Sequence, residues 1–206
     1  HVNRTKSWLI VKSNDAAERA KFIFGDSVNI TTEGKRHLGA VIGSGEYKKE
    51  YCEEKVSNWV KELTILCDIA ETQPQSAYAA FTQGYRSKFT YFLRTIENFE
   101  QFVEPVDTLL TEKFIPALFG SEIPHDLPRE VLSLNPSEGG LGINILAQEA
   151  EDQFLASTNI TQPHVQSILH QEDTMRTTDQ NGKTSQELKR ENKARRLQQK
   201  KDKIEE

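Results

Sequence analysis

Sulfur is scarce in this chain, which has two cysteines and one methionine, Met175, among 206 residues. Cys52 and Cys67 fall in one predicted helix, fifteen residues apart. At about 1.5 Å rise per residue that is roughly 22 Å, which excludes a disulfide within the helix. Reduced thiols point to a cytosolic or nuclear setting. No apolar run approaches the roughly 20 residues of a membrane span, and the first thirty residues lack the cationic, apolar, then small-residue pattern of a secretory signal. Asn3, Asn29 and Asn159 open Asn-x-Ser/Thr triplets, which without a sign of secretion read as chance matches. Gly-x-Ser-x-Gly, Cys-x-x-Cys and His-Glu-x-x-His are missing, and so is any internal repeat. His164, His170, Glu172 and Asp173 are metal-ligand types, but histidines six apart do not aim at one ion as an i, i+4 pair would. Taken residue by residue, the chain shows no complete catalytic site and no metal site.

What is present is an unremarkable core under a wet surface: 36% apolar and 28% charged residues, with a mean hydropathy of -0.63. The length allows one ordinary domain, or a small domain with an extension. Charge is uneven. From Lys183 onward nine Lys/Arg face five Asp/Glu, a net of +4, so the remainder carries -9 of the total -5. An acidic body with a basic tail requires any polyanion contact to be local. Beginning at His1, the chain is expected to be the C-terminal portion of a longer polypeptide.

Periodicity divides the chain into four parts. Residues 1–45 read as β-α-β-β: SWLIVK as a strand, a helix capped by Ser13 or Asn14 and ended by Gly25, SVNITT as a second strand and RHLGAVIG as a third. Ala17, Ala20, Ile23 and Phe24 are expected on the packed face of that helix. Residues 46–120 change to helical spacing. Val56, Trp59, Val60, Leu63, Leu66 and Ile69 or Ala70 mark one helix, and Tyr78, Phe81, Tyr85, Phe89, Phe92 and Ile96 mark a second. A third runs over FVEPVDTLLTEKFIPALFG. Residues 121–171 hold a proline-interrupted linker, a glycine cluster in VLSLNPSEGGLGINIL, and two short helices around Leu146–Thr158 and Pro163–Gln171. Residues 172–206 are a polar flexible stretch followed by a charged, solvated helix.

EGKRHLGAVIG, residues 33–43, invites comparison with a phosphate-binding loop. A Walker loop needs Gly-Lys-Ser/Thr after its second glycine, and a dinucleotide fingerprint needs Gly-x-Gly-x-x-Gly opening a helix; neither is here. A hairpin with Gly34 in its turn is the better reading. The aromatic stripe from Tyr78 to Phe92 has the strict spacing of a buried face, which favours core packing over base stacking. Arg86, Lys88 and Arg94 flank it.

The order of the pieces adds what no single piece carries. VNRTKSWLIVK, a helix, a strand, KRHLGAVIG, a helical block and LNPSEGGLGI together resemble the C-terminal palm edge and thumb of a retroelement reverse transcriptase, of the non-LTR (LINE-like) or a related invertebrate retrotransposon type. The resemblance spans residues 3–157. It implies that Lys6, in Lys6-Ser7, corresponds to a palm lysine assisting nucleotide addition. It also implies that His37, Leu38 and Gly39 form a primer-grip hairpin, with Lys35 and Arg36 near primer phosphates. Arg86, Lys88 and Arg94 would be further nucleic-acid contacts. The implied partner is an RNA/DNA primer-template and the implied reaction is RNA-directed DNA synthesis, a nucleotidyl transfer that uses Mg²⁺ in the intact parent. No cofactor is expected in this chain itself. The family's metal-binding aspartates, with its Tyr-x-Asp-Asp motif, do not occur in this sequence, and the upstream fingers and palm would have to supply them. The arginine that usually precedes the Gly-Gly-Leu-Gly segment is replaced by Asn135-Pro136-Ser137-Glu138. The expected fold is α+β, predominantly α: a small β-α-β-β unit, a helical thumb-like bundle and a C-terminal charged helix. The alternative is a non-catalytic helical interaction protein with a basic tail.

Overall fold

The computed structural model describes residue 3, residues 6–120 and residues 127–205. The Ser121–Asp126 part of the proline-interrupted linker lies outside the described residues. The fold is α+β and predominantly α, in two compact units, residues 1–58 and 59–206.

In the first unit β1 (Trp8–Ile10) pairs in parallel with β2 (Asn29–Thr31), in the register Trp8↔Asn29, Leu9↔Ile30, Ile10↔Thr31. A parallel pair needs a crossover, supplied by α1 (Asn14–Phe24). The Ser13 hydroxyl accepts the amide of Ala16 at α1's start, and Gly25, at φ 53, ends it with its amide on the Lys21 carbonyl. The expected packed face of α1 is a correction. Only Ala20 is buried on that helix; Ile23 and Phe24 are exposed, and Phe22 stands 92% exposed beside them. A two-stranded sheet is too narrow to cover a helix face of that width.

The hairpin exists, but its turn is not at Gly34. β3 (Gly34–His37) pairs antiparallel with β4 (Ala40–Gly43), closing a two-residue loop at Leu38-Gly39. Both loop residues have positive φ, 50 and 91, as the type I′ hairpin turn requires. The segment read as one strand, RHLGAVIG, is therefore the turn and both its flanks, and β2 belongs to the other sheet. Gly34 and Gly43 face each other at the hairpin's open end, where a Cβ on Gly43 would lie 2.4 Å from the Glu33 carbonyl oxygen. Their role is close backbone approach. Neither Gly39 nor Gly43 starts a helix, so the phosphate-loop alternative has no structural counterpart. Val41 is buried, whereas Leu38 and Ile42 are exposed.

Ser44 accepts the Tyr47 amide and opens α2 (Gly45–Thr72). This helix buries Cys52, Val56, Trp59, Leu63, Cys67 and Ala70 along one face, while Ile69 is exposed. Both cysteines are thus core residues, free and buried, and burial pushes each thiol up to about 11.

In the second unit α3 (Pro74–Ala80) and α4 (Arg86–Thr95) are joined by a π turn over Phe81–Tyr85. The aromatic stripe packs inward, as its spacing requires. Trp59 meets Phe89 and Phe92 edge-on, at ring-centroid distances of 5.2 and 4.8 Å, and Phe81 stacks near Phe114. The third expected helix is α5 (Glu100–Leu109), a second π turn over Leu110–Phe114, and α6 (Ile115–Phe119) ended by Gly120 at φ 65. After α7 (Arg129–Ser133) comes the glycine segment, which is not helical. The two short helices expected next are one continuous helix, α8 (Leu146–Leu169), with Pro163 inside it. Its buried face, from Leu146, Glu149, Ala150, Gln153 and Ala156 to Pro163 and Ser167, keeps helical period across the proline. Packing along that stripe outweighs the one backbone bond that proline removes. α9 (Ser185–Glu205) buries no residue. A capping box starts it: the Glu187 carboxylate accepts the Thr184 amide while the Thr184 hydroxyl accepts the Glu187 amide.

Two measurements check this core. Phe89→Ala should lower the unfolding free energy by about 3–5 kcal/mol, and Phe22→Ala should change it by less than about 0.5 kcal/mol, in denaturant titrations. Cys52 and Cys67 should resist alkylation by iodoacetamide in the native protein and react fully in guanidinium chloride; fast labelling of both under native conditions would contradict their burial.

Candidate nucleic-acid interface

At the hairpin tip, Arg36, His37 and Leu38 are exposed, and Leu38 is 84% so. The tip is held from below by the Tyr51 hydroxyl, which donates to the Gly39 carbonyl at 2.8 Å. Lys35 lies with Nζ 3.9 Å from the centroid of the Trp8 ring, a cation–π contact that fixes its stem against β1. The Arg36 side chain has no hydrogen-bond or ion-pair partner among the described residues. Lys6 is exposed, and its amide donates to the Asn3 carbonyl. The first unit therefore offers a cation, an imidazole and an apolar side chain together on one projecting loop.

The cations of α4 are placed differently. Arg86 donates to the Gly142 carbonyl at 3.2 Å. Lys88 pairs with Glu62 at 2.6 Å and lies over the Tyr85 ring. Arg94 donates from Nε to the Gln153 side chain at 3.0 Å. Gln153 in turn donates to Glu149, a buried carboxylate that also accepts from Asn144 and pairs with Lys200 at 2.6 Å. These residues form a network in which the buried charge is satisfied by several donors. Sequence spacing found the cations but not this network, because their partners lie far along the chain.

The glycine segment is the platform on which these links converge. The Tyr78 hydroxyl donates to the Leu141 carbonyl at 2.7 Å. Arg129 donates to the Ile143 carbonyl at 2.7 Å, to that of Asn144 at 3.2 Å and to the Thr111 hydroxyl. Asp107 accepts the amides of Leu146 and Ala147 at 2.8 and 2.9 Å, capping α8 from a different helix. A Cβ on Gly140 would lie 2.3 Å from the Leu134 carbonyl oxygen, so only glycine fits there. Asp107 and Arg129 pointed to no role in the sequence; a lone acid inside an apolar helical stripe is the signal that could have marked the first.

The basic tail is tied down as well. Lys200 reaches the Ser133 carbonyl and the Asn144 side chain as well as Glu149, Arg195 pairs with Asp152, and Lys201 pairs with Glu138. Glu172, one of the metal-ligand types, pairs with Arg176. Among the described residues no three His, Cys, Asp or Glu side chains are grouped to hold a metal ion. No helix among the described residues is long and apolar enough to cross a membrane. No family model, curated protein or solved structure matches this chain.

Burial raises the Asp107 carboxyl pKa above its ordinary value, against the opposing pull of the Ala147 and Leu146 amides and the nearby Arg129. The folded protein then holds this proton more tightly than the unfolded chain, so the stabilisation it brings is complete below the ordinary carboxylate range. It is lost as pH rises through the elevated folded value. Asp107→Asn leaves one acceptor for two amides and should cost about 1–3 kcal/mol. Urea titrations should find the deficit widest in acid and narrower at pH 7, and a deficit that does not vary with pH would contradict this assignment.

Proposed function

We propose that the chain is the palm-edge and thumb portion of a retroelement reverse transcriptase, contributing primer-template binding to a nucleotidyltransferase whose metal-binding carboxylates are supplied elsewhere. The observation that carries the reading is Leu38. Leu38 is 84% exposed and sits at φ 50, a left-handed backbone that costs a non-glycine residue roughly 1–2 kcal/mol. Backbone strain at the tip of a two-residue hairpin supports a functional role for that loop. In this reading His37-Leu38-Gly39 presses on the primer end, and Arg36 and Lys35 meet its phosphates. Lys6 serves as a proton donor or electrostatic stabiliser only once the rest of the site is assembled around it. Arg86, Lys88 and Arg94 are secondary contacts, since each must share a partner it already has.

The internal pairing of those cations and of the tail favours a second reading, a non-catalytic helical interaction protein. The two separate by titration with an RNA–DNA hybrid at several salt concentrations. Under the polymerase reading, Lys35→Ala/Arg36→Ala weakens binding and lowers the salt slope by about one unit per lost phosphate contact. Leu38→Gly weakens binding while raising stability by roughly 1 kcal/mol. Lys189→Ala/Arg190→Ala, tail cations without ion-pair partners among the described residues, has the smaller effect. If the hairpin changes leave affinity and salt slope untouched, the grip assignment fails and the interaction-protein reading stands. Neither reading gives this chain primer extension with Mg²⁺ or Mn²⁺ on its own.

A further inference from the structure

A cavity of about 250 Å³ lies within the second unit, between α4, the glycine segment, the start of α8 and the inner face of α9. Its floor is apolar, with Phe81, Phe89 and Leu93. Its walls are cationic. Lys193, Arg196 and Lys200 enter from α9, and Arg86 enters from α4. The α9 residues are spaced three and four apart, so one helix face brings them to the cavity together. The only carboxylate on the lining is Glu149, and its charge is already met by Lys200 at 2.6 Å. Arg86 is held by the Gly142 carbonyl and Arg196 by a long bond to the Asn192 carbonyl, which are neutral partners that leave both charges uncompensated. The Lys193 side chain has no hydrogen-bond or ion-pair partner among the described residues.

Like charges gathered around a small cavity repel one another, and that repulsion is relieved by an anion of matching size. α9 adds a second constraint: it has few apolar residues, buries none, and is held on the bundle by ion pairs and hydrogen bonds. A helix docked through charge is stabilised by any anion that bridges its inner cations to the opposite wall. We propose that this cavity binds a phosphate or diphosphate group, carried free or as the end of a nucleotide or strand, with Arg86, Lys193 and Arg196 as its ligands. Lys200 neutralises Glu149 on the lining. The group bridges α9 to α4 and fixes the tail. The site uses no residue of the hairpin, so it stands or falls separately from the primer-grip reading.

The test is calorimetric titration of the full chain with inorganic pyrophosphate, with inorganic phosphate, and with a short oligonucleotide carrying or lacking a 5′-phosphate. Lys193→Ala and Arg196→Ala should each weaken pyrophosphate binding at least tenfold, with circular dichroism and melting temperature reporting that the fold is kept. Lys193 has no partner to lose, so its replacement isolates charge from packing. Lys61→Ala, an exposed cation away from the cavity lining, should bind as the unaltered protein does. A preference for the 5′-phosphorylated oligonucleotide over pyrophosphate identifies a strand end as the ligand, and the reverse order identifies a free anion. The proposal is overturned if pyrophosphate does not bind, or if Lys61→Ala weakens it as much as Lys193→Ala, which is nonspecific attraction by surface charge.

Discussion

The second unit depends on how residues 141–147 are held. Six backbone stations there, all but that of Ile145, are engaged by side chains from other elements: Tyr78 on Leu141, Arg86 on Gly142, Arg129 on Ile143 and Asn144, and Asp107 on the amides of Leu146 and Ala147. Each bond to a charged group is worth about 1.5–3 kcal/mol net, and leaving such a buried group unpartnered costs more. Asp107 does the most for its size. It supplies from α5 the cap that Ile145, with no hydrogen-bonding side chain, cannot give to α8. Burial disfavours both the Asp107 carboxylate and the Arg129 guanidinium, and backbone partners offset that cost. Remove either side chain and these backbone groups lose the partner that the fold provides.

That arrangement also explains why positive charge on this surface is not the same as availability for nucleic acid. Arg94 ends in a network that satisfies Glu149, Lys88 is drawn to Glu62, and the tail's Arg195, Lys200 and Lys201 face acids of the body. An acidic body and a basic tail find each other first. Among the described residues, cations that stay available include Arg36 on the hairpin, Lys189 and Arg190 on α9, and those that line the cavity under α9.

The hairpin shows how a short stretch can be read correctly in kind and wrongly in register. Two glycines, Gly34 and Gly39, are both turn residues by composition. The choice between them is made by strand pairing. With Gly34 opposite Gly43, the backbones approach too closely for any Cβ, and the reversal falls at Leu38-Gly39 although leucine is a poor turn residue. The strain at Leu38 is invisible to propensity, because it exists only once both strands are paired around it.

By itself the sequence determined the helical periods of α2, α4 and α5, the start of α1 at Ser13 or Asn14 and its stop at Gly25, the inward aromatic stripe, the non-helical glycine segment and the solvated charge of α9. Each rests on spacing or conformational preference within a few residues, which a linear pattern records. Tertiary structure alone decided that β1 pairs with β2 and not with the hairpin, that Pro163 lies inside one helix, and that Phe22, Ile23 and Phe24 go unburied. It also decided that Asp107 caps α8 across 39 residues, and that Arg86, Arg94 and Lys200 meet their partners 56, 59 and 67 residues away. These depend on which surfaces meet, and a polar side chain's partner is set by packing geometry, which no local pattern encodes.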